Sequence, residues 1–407
     1  MNFIEGGVCA AKGFKASGIH VGVKTHADWK KDVALIVSET PCAAAGVFTR
    51  NVVKAAPIHI DLAHLKNGVA RAIIANSGNA NACAPHGEEY AERMCAAAAK
   101  VIGCAPDDVL VSSTGVIGQT INIDAIEGGV QNLYDALAST VEASDAAAHA
   151  IMTTDTVKKE AAVETVIDGK AVRVGGIAKG SGMIHPNMGT MLCFITTDCA
   201  ISSDMIRAAL LETAEISFNR ISVDGDTSTN DSCMVLANGL AENAEITERG
   251  PAYAAFLEAL QALCVKLARD MASDGEGAKH LITCTVRGAK SVKSAETISK
   301  SVISSTLMKA AIFGADANWG RALCAMGYSG ETFNPEKVNI AFASAAGEID
   351  VCANGRGLNF DEEKAKTILT EHDIEIRIAM GEGDASCTCW GCDITYDYIK
   401  INGDYRT

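Results

Sequence analysis

A glycine-spaced run, Lys179-Gly-Ser-Gly-Met-Ile-His-Pro-Asn-Met-Gly189-Thr190-Met191, leads to one threonine and then directly into an apolar stretch. A threonine hydroxyl held against the carbonyl before it can attack that carbonyl and turn the peptide into an ester. Water then releases a new N-terminal threonine, whose free amine can act as the base for its own hydroxyl. Gly180, Gly182 and Gly189 allow close backbone approach and unusual dihedrals. A strand starting at Thr190 would fix Oγ while the turn before it carries strain. A Gly-Thr pair alone is common and means nothing; here its surroundings give it a use.

Other residues offer supporting chemistry. Thr114-Gly115 ends the apolar run Val109-Leu-Val-Ser-Ser and could present a hydroxyl and a backbone N–H together, two donors for an oxyanion. An ordinary turn reads the same way. In Asp274-Gly-Glu276-Gly-Ala-Lys279 the glycines suit the end of a helix and leave Glu276 on a turn. The Walker spacing is absent, and carboxylates there would repel phosphate. The segment Ser217 to Asp231 is rich in carboxylates and hydroxyls but lacks the closing Glu of a calcium loop, which favours a polar network beneath a site. His185 could be a base or a satisfied loop histidine. Of the fifteen cysteines, most lie in apolar surroundings and read as small reduced core residues. Cys387-Thr-Cys389-Trp-Gly-Cys392 contains a CxxC open to redox or metal use, but a second pair at ligand spacing is missing, so no metal is expected.

These residues need a scaffold of strands and helices. Val33–Val37 and Arg71–Ala75 read as buried strands, Asn76–Asn81 as a polar loop, His86–Val101 and Asp124–Ala138 as helices. Two β-rich runs flank Asp168-Gly169, the pattern of a hairpin with a type I′ turn. Past Thr190, an apolar strand is followed by helices near 203–215, 251–272 and 295–312, strands near 281–287 and 338–343, a helix near 361–370 and a strand over Ile374–Met380. Consecutive strands that do not alternate strictly with helices favour layered α+β over a doubly wound sheet. The 407 residues are enough for one large core or two lobes. The net charge of −15, with no long basic run, argues against nucleic acid and anionic membranes as partners. The N-terminus lacks a signal-peptide pattern, and no apolar run reaches the ~18–20 residues of a membrane span; a cytoplasmic protein is expected.

The cleavage-like segment resembles that of the ornithine acetyltransferases, or glutamate N-acetyltransferases, of the cyclic arginine pathway. The resemblance runs almost end to end, through Gly46-Val-Phe-Thr-Arg-Asn51, Ala75-Asn-Ser-Gly-Asn-Ala-Asn81, Ser113-Thr-Gly-Val-Ile-Gly118, Met152-Thr-Thr-Asp155, Phe218 to Asn230, Gly314 to Arg321 and Tyr398 to Thr407. It implies a layered fold of the N-terminal-nucleophile kind, cut at Gly189–Thr190 into an α chain (1–189) and a β chain (190–407). It makes Thr190 the nucleophile and Thr114 with Gly115 the oxyanion hole. Thr153, Lys179, Thr190, Glu276, Asn402 and Thr407 would line the substrate pocket. Two departures stand out: Gly189 replaces the usual Ala, which removes only a methyl group, and Lys279-His280 replaces the usual Thr-Lys.

The implied reaction moves an acetyl group from N-acetylornithine to glutamate through acetyl-Thr190. No metal or organic cofactor is needed, and acetyl-CoA is a second donor if the enzyme is bifunctional. The resemblance also implies an assembly of two α and two β chains. The rival readings are a Thr-nucleophile amidase or aminopeptidase, which would pass the acyl group to water, and an uncleaved ligand-binding protein.

Overall fold

The computed structural model describes residues 1–24, 30–185 and 191–404. Within them the strands in chain order are β1 (Asn2–Ile4), β2 (Phe14–Ile19), β3 (Val33–Phe48), β4 (Val69–Asn79), β5 (Val109–Val116), β6 (Lys159–Ile167), β7 (Lys170–Lys179), β8 (Leu192–Thr197), β9 (Ile221–Ser222), β10 (Ser232–Ala237), β11 (Leu281–Ala289), β12 (Asn339–Ser344), β13 (Gly347–Ala353), β14 (Arg356–Gly357), β15 (Asp373–Ala379) and β16 (Ala385–Cys392). The helices are α1 (Ala56–His64), α2 (Gly87–Ile102), α3 (Ile123–Asp135), α4 (Val141–Ile151), α5 (Ser203–Ile216), α6 (Pro251–Ser273), α7 (Val292–Ser304), α8 (Thr306–Phe313), α9 (Trp319–Gly327), α10 (Glu362–Leu369) and α11 (Tyr396–Asp404).

The strands form two sheets. The larger runs β1-β6-β7-β8-β10-β3-β4-β5, with β2 against the first half of β3; the smaller runs β14-β13-β12-β15-β11-β16-β9. Every residue of β8 and β10 is buried. The reason is that both faces of these central strands are covered. Cys193, Ile195, Cys233 and Val235 pack with α5 and α6 on one side. Leu192, Phe194, Met234 and Leu236 pack with α4 on the other. A strand covered twice reads as a continuous apolar run, as this one does. The smaller sheet has its own core, where Ile282, Cys284, Phe342 and Ile376 meet α7 to α10. The layered α+β arrangement expected from the sequence is the one found.

The helix α6 is long and apolar enough to cross a membrane by length and composition, which the sequence reading had not expected. Its Phe256, Leu260, Leu263, Cys264 and Leu267 are buried in the core beside Val163 and Val174, so it folds as an interior helix. The turn at Asp168-Gly169 has positive φ at both residues (51° and 75°), as a type I′ hairpin requires. Three other expectations need correction. The stretch 295–312 is two helices, because Ser305 is extended and its hydroxyl caps the second by accepting from the Met308 N–H. The polar stretch from Asn76 is not all loop: β4 continues to Asn79 beside the end of β5. Thr114 and Gly115 likewise lie within β5, which continues to Val116.

The boundary at residue 189 does not separate two bodies. Strand β8 lies between β7 and β10, and β10 pairs with β3, so residues before and after the proposed cut interleave in one sheet.

Candidate active site

One cavity of about 140 Å³ gathers Thr114, Gly115, Thr153, Lys179, Glu276 and Asn402 from five stretches of chain. Ile184 and Met191, which flank 186–190, line the same cavity. Gly189, Thr190 and Thr407 lie outside the described residues.

Each wall has an identifiable cause. Gly115 has a φ of +132°, and a Cβ there would lie 2.4 Å from the Gly78 carbonyl carbon. Only glycine allows the ends of β4 and β5 to approach so closely. Asn230 holds the neighbouring backbone: its Nδ2 donates to the carbonyls of Ser113 (2.7 Å) and Ala80 (2.6 Å). Ser113 Oγ donates to Asn76 Oδ1 at 2.6 Å. The polar residues around Asn76 thus serve to buckle the strand ends that present Thr114 and Gly115.

Below Thr153 and Lys179 lies a buried charge cluster. The side chains of Lys159 and Asp155 have no exposed surface, and Lys159 Nζ meets Asp155 Oδ1 at 2.6 Å and also Asp274. Asp155 accepts from the N–H groups of Thr153 (3.0 Å) and Gly180 (2.8 Å) and lies 3.9 Å from Lys179 Nζ. Burial would push the Asp155 carboxyl up, but the Lys179 and Lys159 ammonium groups outweigh it and hold it well below the usual carboxylate range. Asp274 accepts from Thr156 N–H and Val157 N–H. Its carbonyl accepts from Ser181 Oγ at 2.6 Å, and Glu276 N–H donates to Ser181 O at 3.0 Å. Three pocket residues, Thr153, Lys179 and Glu276, are therefore fixed by one cluster.

Burial lowers the Lys179 ammonium from its ordinary value, opposed mainly by Asp155. Glu276 Oε2 accepts from Asn402 Nδ2 at 2.7 Å, which ties α11 to the pocket. A Cβ on Gly182 would fall 2.3 Å from the Glu276 carboxyl carbon, so the glycine makes room for that side chain. Asp224 accepts from the Met183 (2.6 Å) and Ile184 (2.9 Å) N–H groups and anchors the approach to the junction. This is the polar network expected from that carboxylate-rich segment. His185 Nδ1 lies 3.0 Å from Ser222 Oγ, and burial pulls the ring down to about 4. It is a satisfied loop histidine.

The cysteines are all free, and Cys387, Cys389 and Cys392 are buried in β16. Among the described residues no group of three His, Cys, Asp or Glu side chains could hold a metal ion. Sequence reasoning gave no role to Lys159 or Asp274 and did not single out Asn230 or Asp231 as individuals. Asp155 and Asn230 each end a quoted motif, Met152–Asp155 and Phe218–Asn230, and that was the available signal.

A model of the ArgJ family matches residues 15–407. The chain belongs to the ArgJ family. It is similar to the arginine biosynthesis bifunctional protein ArgJ 1 of Clostridium acetobutylicum, 49% identical over 397 residues that cover 97% of this chain and 96% of that one. It is also similar to the arginine biosynthesis bifunctional protein ArgJ of Symbiobacterium thermophilum, 47% identical over the full length of both. Among solved structures, the arginine biosynthesis bifunctional protein ArgJ of Bacillus halodurans superposes with a TM-score of 0.50 at 44% identity. The match covers 98% of that chain and 52% of this one.

Proposed function

We propose that Thr190 carries an acetyl group from N-acetylornithine to glutamate, after the chain has cut itself at Gly189–Thr190 into fragments 1–189 and 190–407. The chain is an acyltransferase of arginine biosynthesis, as its family membership and full-length relatives establish. The residue-level reading rests on one observation above the others. Thr114, Gly115, Thr153, Lys179, Glu276 and Asn402 converge on a cavity also lined by Ile184 and Met191, the residues that bracket the junction.

In this reading the mature Thr190 amine takes the proton from its own hydroxyl as Oγ bonds to the acetyl carbon. Thr114 and Gly115 hold the oxyanion, and ornithine leaves. Glutamate's amine then attacks the acetyl ester and departs as N-acetylglutamate. Lys179 meets an amino-acid carboxylate, and Glu276 meets the side-chain ammonium of ornithine. Thr407 belongs to the same proposed set of substrate contacts. Because β8 and β10 are built into the sheet with β7 and β3, the fragments stay joined after the cut. Two of each fragment in the assembly, a cytoplasmic location and acetyl-CoA as a second donor belong to the same proposal. The last is supported by relatives that are named bifunctional.

The test is incubation with N-acetylornithine, with and without glutamate. Ornithine release that requires glutamate, together with N-acetylglutamate formed in equal amount, is expected; release that ignores glutamate would make the protein an amidase. A second expectation concerns specificity. Glu276→Gln should weaken N-acetylornithine by roughly 10-fold or more, the worth of a charged hydrogen bond, and N-acetylglutamate much less. Measured KM values for the two substrates check it, and equal losses would remove the ammonium contact.

A further inference from the structure

Asn230 lines the cavity beside Thr114 and Gly115 but has no part in the scheme above. It is 8% exposed, and its side chain is tied down at both ends of the amide. Nδ2 donates to the carbonyls of Ser113 at 2.7 Å and Ala80 at 2.6 Å, while Oδ1 accepts from Thr229 Oγ1 at 2.7 Å. The amide cannot be turned over, because Oδ1 would then face two carbonyl oxygens. The backbone of the same residue is held as well. Its N–H donates to Ser228 Oγ at 3.1 Å, and its carbonyl accepts from Ser232 Oγ at 3.0 Å.

The two carbonyls that Asn230 holds belong to the two chain segments that meet at Gly115. Ser113 directly precedes Thr114 in β5, and Ala80 directly follows β4. The segments touch where a Cβ on Gly115 would lie 2.4 Å from the Gly78 carbonyl carbon, and Ala80 N–H donates to Val116 O at 2.9 Å. Ser113 and Ala80 are both buried, so turning the peptide before Thr114 would leave a buried acceptor without its donor. Two residues past Asn230, the Ser232 N–H donates to Met191 O at 2.8 Å, and Ser232 pairs with Leu192 where β8 and β10 begin. The stretch 230–232 therefore grips the Thr114 corner with its first residue and the start of β8 with its last.

We propose that Asn230 is the positioning residue of the oxyanion hole, and that it sets the distance from Thr114 and Gly115 to the start of β8. This inference rests on the reading of Thr114 and Gly115 as the oxyanion donors. An amide nitrogen carries two hydrogens, and both are committed to backbone carbonyls here. Asn230 has no donor left for the oxyanion itself, so its effect passes through Thr114 and Gly115. Such donors work because they are aimed before charge develops. Asn230 lies in 190–407 and the donors in 1–189, so the clamp would also hold the donors of one fragment in register with a strand of the other after the proposed cut.

The test is a double-mutant cycle in the full chain, with kcat for acetyl transfer counted per cleaved chain on a denaturing gel. Thr114→Ala alone should lower kcat by about 100-fold. Asn230→Ala alone should also lower it by about 100-fold, the cost of a displacement of about 1 Å. KM for N-acetylornithine should move by less than about 3-fold in Asn230→Ala. Added to Thr114→Ala, the Asn230→Ala change should cost less than about 5-fold more, because the donor it aims is already gone. A further loss of about 100-fold in the double variant would place the action of Asn230 elsewhere and overturn the proposal. So would a cleaved Asn230→Ala enzyme with wild-type kcat, or one that loses only KM. Thr229→Val keeps the side chain's shape and removes the hydroxyl that orients the amide, and it carries the same cycle if Asn230→Ala does not fold or is not cut. It should cost about 10-fold alone and less than about 2-fold beside Thr114→Ala; equal losses in both backgrounds, or none in either, would overturn the proposal. Failure of the underlying reading looks different: a cleaved Thr114→Ala enzyme with wild-type kcat overturns the oxyanion hole, whatever Asn230→Ala does.

Discussion

Replacing Thr190 with alanine will leave the protein as one uncut polypeptide with no measurable acetyl transfer. The substitution removes the hydroxyl that attacks the Gly189 carbonyl, so no ester forms and no amine is released. It also removes the atom that would carry the acetyl group, so the loss of turnover should reach about 10⁴-fold or more, as for other enzymes deprived of their nucleophile. Folding should survive. The ladders that join β7, β8 and β10 begin at Leu192, beyond the substituted residue. A single full-length band, an unchanged melting temperature and no N-acetylglutamate are therefore expected together. Loss of transfer accompanied by normal cleavage would leave Thr190 a role in turnover but none in maturation.

The second large effect is expected at Lys159, which touches no substrate. Lys159→Met would leave Asp155 and Asp274, both buried, without the ammonium that lies between them. Removing one partner from a buried ionic group typically costs about 3–5 kcal/mol, because the charge left behind has no water to replace it; Asp155 would keep only Lys179, at 3.9 Å. Urea unfolding should show that loss. The damage should extend to function, since Asp155 holds the Thr153 and Gly180 N–H groups and Asp274 holds the loop beside Thr156 and Val157. The pH dependence follows from the same contacts. Asp155 is held below its unfolded value, so its contribution to stability is fully present above the ordinary carboxylate range and is lost as pH falls through that range and below it. In Lys159→Met this acid-dependent part should shrink, and the stability curves of variant and wild type should converge at low pH.

Much of this was legible in the sequence because it is local. The Asp168-Gly169 turn, the apolar run of β8 and the helix at 251–273 follow from dihedral preference and periodicity over a few residues. The break at Ser305 was not visible, because the apolar spacing continues through it and only the cap to Met308 marks the new start. Helix α4 was missed although Thr140 caps it by accepting from the Ala143 N–H, a signal masked by its alanine-rich, weakly amphipathic sequence. The pocket residues were found through motif resemblance; physics alone left Thr114-Gly115 as an ordinary turn. What no local pattern could reveal is convergence. Lys159 and Asp274 stand 115 residues apart, and Asn230 reaches Ser113 across 117. Asp231 reads as one acidic residue in a polar stretch until the fold buries it in the wall of the cavity that Met191 also lines.

The central claim is that the bond before Thr190 is cut and that the new terminus does the chemistry. N-terminal sequencing of the purified protein's two bands tests it most directly. Two fragments are expected, one of which begins Thr-Met-Leu-Cys-Phe. A single uncut chain, or a second fragment that begins at any residue other than Thr190, would contradict it.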